Sequence, residues 1–368
     1  MKTEMNTATE TGTTKITTGA VRRSAPVPAI ALLIAAMLLA SIWIVPPVFS
    51  GGRREASAEG GRTTPDRVVI GFQAIPNGEI VAKNLGWVEE EIALPVQWIQ
   101  FNSGSELNAA IAAGSVDIGL GGSSTTVAAV AQGVPAEIIW IQNIIGDNEA
   151  LVVRRDSPIR EVTDLAGRRV AAPFGATTHY HLMVALELAG VEPAELTIMD
   201  MTPQDMRAAW QRGDIDAGFV WEPTLAAMLE MDGRVLVTSG EIAARGYLTG
   251  DITIARRGFA EQYPHLVERY LLAQIRAVDL ILSDPDAAAD AIAREFGLDQ
   301  AEARRQMDSL VFVPGHEQPE ALRGLADVFV ATGEFLAAQR SIRSAPARTV
   351  FAAAINTAYV EGALATAP

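Results

Sequence analysis

The chain of 368 residues has no cysteine and only four histidines. The absence of cysteine excludes disulfide bonds, thiol catalysis and thiolate metal sites. His179 and His181 are two positions apart, which on a helix directs them to different faces, so we expect no shared metal. The chain also lacks the nucleophile motif G-x-S-x-G and the zinc motif H-E-x-x-H. These absences indicate a protein that recognises a ligand, and we expect neither catalysis nor a bound cofactor.

Positive charge is also scarce. The formal net charge is −15, and from Pro65 onward 22 basic residues face 40 acidic ones, a net charge of −18. Such a surface repels the phosphate backbone of nucleic acids. We therefore exclude nucleic acid as a partner.

The first 64 residues are unlike the rest of the chain. Arg22-Arg23 precede an uncharged segment whose apolar core spans residues 29–45. This core is at the short limit for a membrane span and is long for a signal peptide. The alternatives are a cleaved export signal and an uncleaved anchor, and both place the globular part outside the cytoplasm. Residues 1–64 are thus interpreted as a disordered start, this export segment and a linker.

From residue 65 onward, short apolar runs alternate with helical periods, which is typical of α/β architecture. The predicted strands are Arg67–Phe72, Val96–Phe101, Val116–Leu120, Glu137–Gln142, Ala150–Arg154, Arg169–Ala172, Leu196–Met199, Asp216–Val220, Arg234–Val237 and Asp251–Ala255. The predicted helices are Gly78–Asn84, Ser105–Ala113, Thr125–Gln132, Thr178–Ala189, Pro203–Arg212 and Pro223–Met231, and the chain is almost entirely helical after Tyr263.

Two of the predicted strands, Ala150–Arg154 and Asp251–Ala255, are interpreted as crossovers between two lobes. The first lobe would comprise residues 65–150 plus 255–368, and the second lobe residues 151–254. Ligands of open parallel sheets bind beyond the carboxyl ends of the strands, and clefts for small molecules form between domains. The sequence therefore predicts a binding cleft between the lobes.

Hydroxyl side chains accompany several predicted helix starts, and the candidate ligand-binding residues there are Ser103, Ser124, Thr177 and Thr178. A helix start leaves about four backbone N–H groups unpaired and carries a partial positive charge, which favours an anion. The alternative interpretation of such residues is a plain N-cap. Sulfonate, phosphate and carboxylate would all suit these donors.

Glu149 and Asp251 lie at the two crossovers, facing these donors. A carboxylate in the cleft would pair with a ligand ammonium through a charge-assisted hydrogen bond, although acidic loop residues are usually solvated. His179 either donates to the anion or satisfies a local backbone group. Gln73 and Trp221 complete the candidate set, with core packing as the alternative for the tryptophan.

Several strings of the sequence also carry a family resemblance: Phe101-Asn-Ser-Gly104, Gly122-Ser-Ser124, Asn148-Glu-Ala-Leu-Val-Val153, Pro173-Phe-Gly-Ala-Thr-Thr-His-Tyr180, Ala209-Trp-Gln-Arg-Gly-Asp-Ile-Asp216 and Val220-Trp-Glu-Pro223. Through them the chain, from about Val68 to Arg340, resembles the taurine-binding proteins of ABC importers, within the aliphatic sulfonate and nitrate binding group. The resemblance implies the type II periplasmic binding protein fold, which agrees with the two lobes inferred above.

The resemblance also implies roles for individual residues. A sulfonate would be held by Ser124, Thr177, Thr178 and backbone amides, and an amine by Glu149 and Asp251. The implied partners are a small ligand, taurine or another sulfonate, and a membrane permease with its ATPase, and we expect a monomer. The alternatives are a ligand sensor for a membrane receptor and an enzyme similar to those that make the thiamine pyrimidine. Those enzymes depend on a cysteine-rich segment, which this chain lacks.

Overall fold

The structure, a computed structural model, describes residues 64–367. The predicted export segment, with its apolar core at residues 29–45, lies outside the described residues. Between residues 64 and 367, every helix is too short or too polar to cross a membrane. The described chain alternates strands and helices up to residue 256 and is largely helical beyond it, which confirms the predicted α/β class.

All ten predicted strands are present, each with ends within three residues of the prediction. An additional two-residue strand follows them in the helical part of the chain. The strands are β1 (Val68–Phe72), β2 (Val96–Gln100), β3 (Ile118–Gly122), β4 (Ala136–Ile145), β5 (Glu149–Arg154), β6 (Arg169–Ala172), β7 (Thr197–Asp200), β8 (Ala217–Trp221), β9 (Gly233–Thr238), β10 (Gly250–Arg256) and β11 (Leu310–Val311).

The strands form two sheets. The first sheet has the order β2-β1-β3-β10-β4-β11, and the second has the order β7-β6-β8-β5-β9. Without the additional strand β11, the two sheets are built in the same order. Each sheet has one internal strand that runs against both neighbours: β10 lies antiparallel between β3 and β4, and β5 lies antiparallel between β8 and β9. At the edge of the first sheet, β11 is also antiparallel to β4. The chain leaves the first sheet through residues 146–148 and returns between β9 and β10. The exact boundaries of the two lobes stay a prediction.

The six predicted helices are also present, each within two residues of the predicted ends. The helices are α1 (Gly78–Asn84), α2 (Trp87–Ile92), α3 (Gly104–Ala112), α4 (Ser123–Ala131), α5 (Thr177–Ala189), α6 (Pro203–Arg212), α7 (Thr224–Glu230), α8 (Ser239–Ala243), α9 (Arg257–Gln262), α10 (Pro264–Ser283), α11 (Pro285–Phe296), α12 (Gln300–Met307), α13 (Gln318–Ala338), α14 (Arg348–Ala354) and α15 (Ala358–Thr366).

Helix α6 shows how local sequence sets these boundaries. The Thr202 hydroxyl accepts a hydrogen bond from the Asp205 backbone N–H at 3.2 Å, and Pro203 occupies the first turn, where a missing N–H costs nothing. At the other end, Gly213 adopts a φ of 78°, a left-handed conformation that glycine reaches without strain. The chain then turns directly into β8, which carries a residue of the candidate site at its end.

The second sheet is buried on both faces. In β5, Ala150 and Val152 belong to one hydrophobic core, whereas Leu151 and Val153 belong to the core on the opposite face. This alternation follows from the two-residue period of a strand. Both faces of β5 are thus fixed by packing, which holds Glu149 at the start of the strand in one place.

A small apolar cluster joins the ends of strands from both sheets. It contains Ile75, Leu120 and Leu310 on the side of the first sheet, and Ala176 and Trp221 on the side of the second. These side chains exclude water from the region between the sheets. The candidate site lies beside this cluster, between the two sheets.

Candidate ligand-binding site

A small, partly open cavity lies between the two sheets, beyond the ends of β1, β3, β6 and β8. Its empty volume, open mouth included, is about 290 Å³. The residues lining it are Gln73, Ile75, Gly104, Gly122, Thr125, Glu149, Ala176, Thr177, Trp221 and Asp251. Five of these, namely Gln73, Glu149, Thr177, Trp221 and Asp251, were predicted from the sequence.

Glu149 is the first residue of β5 and lies beside Trp221 in the ladder with β8. Its side chain is 3% exposed. The Thr177 hydroxyl donates to its Oε1 at 2.5 Å, and its Oε2 lies 3.0 Å from the Ser239 hydroxyl oxygen. Burial raises the pKa of Glu149 to about 8; the Asp251 charge acts in the same direction, and the hydrogen bonds from the Thr177 and Ser239 hydroxyls oppose the shift. At neutral pH the Glu149 carboxyl is thus largely protonated.

Asp251 reaches the same cavity from the first sheet. In β10 it lies opposite Gly122 of β3 and Asn143 of β4, so the register of the sheet places it at the cavity floor. It is 4% exposed, and the Asn143 amide donates to its Oδ2 at 2.8 Å. Burial raises the pKa of Asp251 to about 6, which leaves the carboxylate ionised at neutral pH.

The starts of α4 and α5 meet at the cavity edge. The Ser124 hydroxyl donates to the Gly175 carbonyl at 3.1 Å, a hydrogen bond that connects the two lobes. A Cβ on Gly122 would lie 2.8 Å from the Thr177 methyl carbon, so only glycine permits this approach. Thr178 is fully buried, and its hydroxyl has no hydrogen-bond partner among the described residues. A buried polar group without a partner is costly, which makes Thr178 a candidate donor or acceptor for a ligand.

The other four predicted residues, Ser103, Ser124, Thr178 and His179, are not among those that line the cavity. The Ser103 hydroxyl accepts a hydrogen bond from the Glu106 backbone N–H at 3.3 Å and caps α3 at the surface. The His179 ring stacks on Phe174 with centroids 4.6 Å apart, and its Nδ1 accepts from the Gly175 N–H at 3.3 Å. Both contacts correspond to the local alternatives weighed from the sequence. A ligand-binding role for Ser103 and His179 stays a prediction.

Gln73 and Trp221 form opposite walls. The Gln73 amide donates to the Leu120 carbonyl at 3.2 Å, which holds the side chain against β3. Trp221, at the end of β8, packs with Ile75 and Ala176 in the apolar cluster. The cavity therefore combines apolar walls with a few fixed polar groups, as small-molecule sites usually do.

Supporting residues behind the carboxyl groups were not predicted. Asn143 holds Asp251 and in turn accepts from the Asn77 amide at 3.3 Å. Ser239 and the buried His181 stand behind Glu149, with His181 Nδ1 2.7 Å from the Ser239 oxygen. Asn143 and Ser239 reach the site through strand register and a short helix, so no local sequence signal pointed to them.

The charge of the cavity is one-sided. Its lining, taken from the described residues, contains two carboxyl groups and neither lysine nor arginine. Within residues 64–367, no group of three or more histidine, aspartate or glutamate side chains could hold a metal ion. The arrangement can therefore bind a small molecule through hydrogen bonds and a complementary positive charge.

Comparisons with known proteins identify the family of the chain. A family model described as NMT1/THI5 like matches residues 76–288. The taurine-binding periplasmic protein of Escherichia coli is 33% identical over 282 residues, which is 75% of this chain and 87% of that protein. A putative aliphatic sulfonates-binding protein of Escherichia coli is 29% identical over 243 residues, which is 66% of this chain and 75% of that protein.

Solved structures show the same architecture. The alkanesulfonate-binding protein SsuA of Xanthomonas axonopodis pv. citri, bound to MOPS, superposes with a TM-score of 0.65 at 24% identity, over 80% of this chain and 99% of that chain. The periplasmic aliphatic sulphonate binding protein SsuA of Escherichia coli gives a TM-score of 0.65 at 25% identity, over 78% and 92%. The predicted fold of periplasmic binding proteins is confirmed. The chain belongs to the NMT1/THI5-like family, within the group that contains the taurine-binding and aliphatic sulfonate-binding periplasmic proteins.

Proposed function

We propose that this chain is the exported solute-binding component of an ABC importer and captures taurine or a closely related small aminosulfonate. The ligand lies in the cleft between a first lobe, residues 65–150 plus 255–368, and a second lobe, residues 151–254. The loaded protein delivers it to a membrane permease that works with an ATPase. The similarity to the taurine-binding protein of Escherichia coli supports both the ligand class and the transport role.

The observation that carries this proposal is the pair of buried carboxyl groups in one small cavity. Glu149 comes from the second sheet and Asp251 from the first, and the lining described above offers no cationic side chain to either. An ionised buried carboxylate without a partner is unfavourable, so a cationic group from outside would be bound strongly. The ammonium of an aminosulfonate supplies such a group.

The other end of the ligand needs donors without a positive side chain. The first turns of α4 and α5 present unpaired backbone N–H groups and the partial positive charge of a helix start. Thr178 adds a buried hydroxyl that lacks a partner among the described residues. A sulfonate can accept several such hydrogen bonds at once, and each is strengthened by its charge.

Titration calorimetry with three ligands tests the proposal. We expect the purified protein to bind taurine more tightly than ethanesulfonate, which lacks the ammonium, and more tightly than ethylamine, which lacks the sulfonate. The variant Glu149→Gln should lose part of the preference for taurine over ethanesulfonate. Asp156→Asn, which removes an exposed carboxylate, serves as the matched control and should bind as the wild type does. Equal affinity for taurine and ethanesulfonate would contradict a role of the carboxyl groups in reading the amine.

A further inference from the structure

His181 is the buried group that the proposed function does not yet use. It lies in α5, one turn after Thr177, and is completely buried. Its Nε2 is 2.9 Å from the Tyr247 carbonyl oxygen, and its Nδ1 is 2.7 Å from the Ser239 hydroxyl oxygen. The same Ser239 oxygen is 3.0 Å from Glu149 Oε2. The three side chains thus form a continuous chain of hydrogen bonds that begins in the cavity, and we call it the proton chain.

The number of hydrogens in the proton chain limits the charge states that Glu149 and His181 can take together. A carbonyl oxygen only accepts, so His181 Nε2 must carry a hydrogen. If the imidazole is neutral, Nδ1 accepts and the single Ser239 hydrogen is used there. The contact between Ser239 and Glu149 then requires that Glu149 donate, so its carboxyl is protonated. The alternative is an imidazolium that donates through Nδ1 to Ser239, which donates to an ionised Glu149.

Both arrangements satisfy every contact, and they contain the same number of protons. They differ only in where one proton lies, on Glu149 or on His181. In a third arrangement Glu149 is ionised and His181 is neutral. The single Ser239 hydrogen then serves only one of its two contacts, and at the other, with Glu149 Oε2 or with His181 Nδ1, two lone pairs face each other. The proton chain therefore holds one shared proton.

We propose that His181 and Ser239 are positioning residues that determine specificity for a cationic ligand by accepting the proton of Glu149. When the ligand ammonium enters, the Glu149 proton passes to the Ser239 oxygen and the Ser239 proton passes to His181 Nδ1. Glu149 becomes a carboxylate, His181 becomes an imidazolium, and no proton leaves the protein. This inference rests on the proposed function in one respect, namely that the ligand carries a positive charge.

The surroundings favour the neutral arrangement while the cavity is empty. Burial raises the pKa of Glu149 to about 8 and lowers the pKa of His181 to about 4, against the opposing effect of the Tyr247 carbonyl. Among the described residues, the Asp251 carboxyl of β10 acts on Glu149, and the Tyr180 ring lies against the His181 ring with centroids 5.4 Å apart. Asp251 favours a protonated Glu149. A bound ammonium would reverse this balance because it favours a negative charge on Glu149.

Side-chain nitrogen NMR of histidine tests the proton chain directly. At pH 7, the ligand-free protein should show His181 as a neutral ring protonated at Nε2, assigned by loss of the signal in His181→Gln. Saturating taurine should convert this signal into that of an imidazolium, and ethanesulfonate should not. An unchanged neutral ring with taurine bound would overturn the inference while leaving the proposed function intact.

Calorimetry in buffers with different ionisation enthalpies gives a second readout that a purely structural role would not change. The wild type should bind taurine near pH 7 with almost no net proton exchange. In His181→Gln and in Ser239→Ala the proton should leave for solvent, so taurine affinity should rise with pH by up to about tenfold per unit between pH 6 and 8. His316→Gln, at an exposed histidine, is the matched control and should behave as the wild type.

The two proposals fail in different ways. Release of a proton by the wild type, equal to that of the variants, overturns the proton chain only. If taurine does not bind at all, the proposed function is wrong, and the ligand-free spectrum then decides the inference. A cationic His181, or one protonated at Nδ1 only, would overturn it whatever the ligand is.

Discussion

Replacing Asp251 with asparagine should change protein stability and ligand affinity in opposite directions. Asp251 is almost fully buried, and its only hydrogen-bonding side chain among the described residues is the Asn143 amide. An asparagine keeps the shape and can still accept the hydrogen bond from Asn143. The change therefore removes the negative charge and leaves the packing of β10 unchanged.

The magnitude follows from the shifted pKa. Burial raises the pKa of Asp251 from 3.8 to about 6, so the folded protein binds its proton more tightly than the unfolded chain does. The stability that this proton gives is complete below pH 3.8 and is lost as the pH rises through 6. At pH 7 the free energy of unfolding is therefore lower by about 3 kcal/mol than it is below pH 3.8, at about 1.4 kcal/mol per pKa unit. We expect Asp251→Asn to recover part of this cost in the ligand-free protein.

Ligand binding should respond in the opposite direction. Truncating one partner of a buried charge pair typically costs about 2–5 kcal/mol, so taurine affinity should fall at least about 30-fold. Ethanesulfonate has no ammonium, and its affinity should be unchanged or improved. Denaturant unfolding and titration calorimetry measure the two effects, with Asp156→Asn as control. If Asp251→Asn weakens both ligands equally and also lowers the free energy of unfolding, Asp251 is a structural residue and the reasoning is wrong.

Three further changes test other parts of the site. Gly122→Ala should weaken every ligand in titration calorimetry, because its Cβ would lie 2.8 Å from the Thr177 methyl carbon. The control Gly324→Ala, whose Cβ would meet no atom within 4 Å, should have no effect. Thr178→Val should lower the affinity for taurine and for ethanesulfonate alike, by about 10- to 100-fold, which is what a hydrogen bond to a charged group contributes. The stability of the ligand-free protein should not fall, because the Thr178 hydroxyl has no partner among the described residues. A loss of affinity for taurine alone would contradict a contact between Thr178 and the sulfonate. The free energy of unfolding should fall as the pH rises from 5 to 8, because the pKa of Glu149 is raised to about 8. The fall should be at most about 1.4 kcal/mol per pH unit for each ionising group. Glu149→Gln should make this pH dependence less steep, and an unchanged dependence would refute the raised pKa of Glu149.

The sequence predicted most of the framework because its signals are local. Strands buried on both faces, such as β5 and β8, are continuous apolar runs bounded by polar or glycine residues. Helix α6 carries a capping threonine, a proline in its first turn and a terminal glycine. In each case the residues that form the element also mark its ends.

Two elements that the sequence did not predict, α2 and β11, lack such signals. Helix α2 starts after Gly86 without a side-chain cap and ends at Ala93, which adopts a left-handed φ of 54° that alanine seldom takes. Strand β11 has two residues and exists through its pairing with β4. Tertiary contacts define both elements, and a single sequence does not contain them.

The candidate site divides in the same way. Glu149 and Asp251 were predicted because they lie at the two predicted crossovers between the lobes. The partner of Thr177 was not predicted: its hydroxyl faces Glu149 in the structure, whereas the family resemblance assigned it to a sulfonate. The partner of the Thr177 hydroxyl depends on which side chains meet across the cleft, and a single sequence does not show this.

The carboxyl groups of this protein show why Asp251 is the unusual one. Asp117, in the partly buried loop before β3, is paired with the Arg256 guanidinium at 2.6 Å. Glu79 is fully buried, and burial raises its pKa to about 8 although the Tyr270 hydroxyl donates a hydrogen bond to it. The Glu79 carboxyl is therefore largely neutral at pH 7. Glu149 is neutral in the empty cavity for the same reason. Asp251 is ionised, buried and without a cationic side chain among its described partners. A folded chain retains such a charge at a cost, and the cost is offset when a cation arrives with the ligand. The positive group that completes the electrostatics of this fold is therefore expected on the ligand.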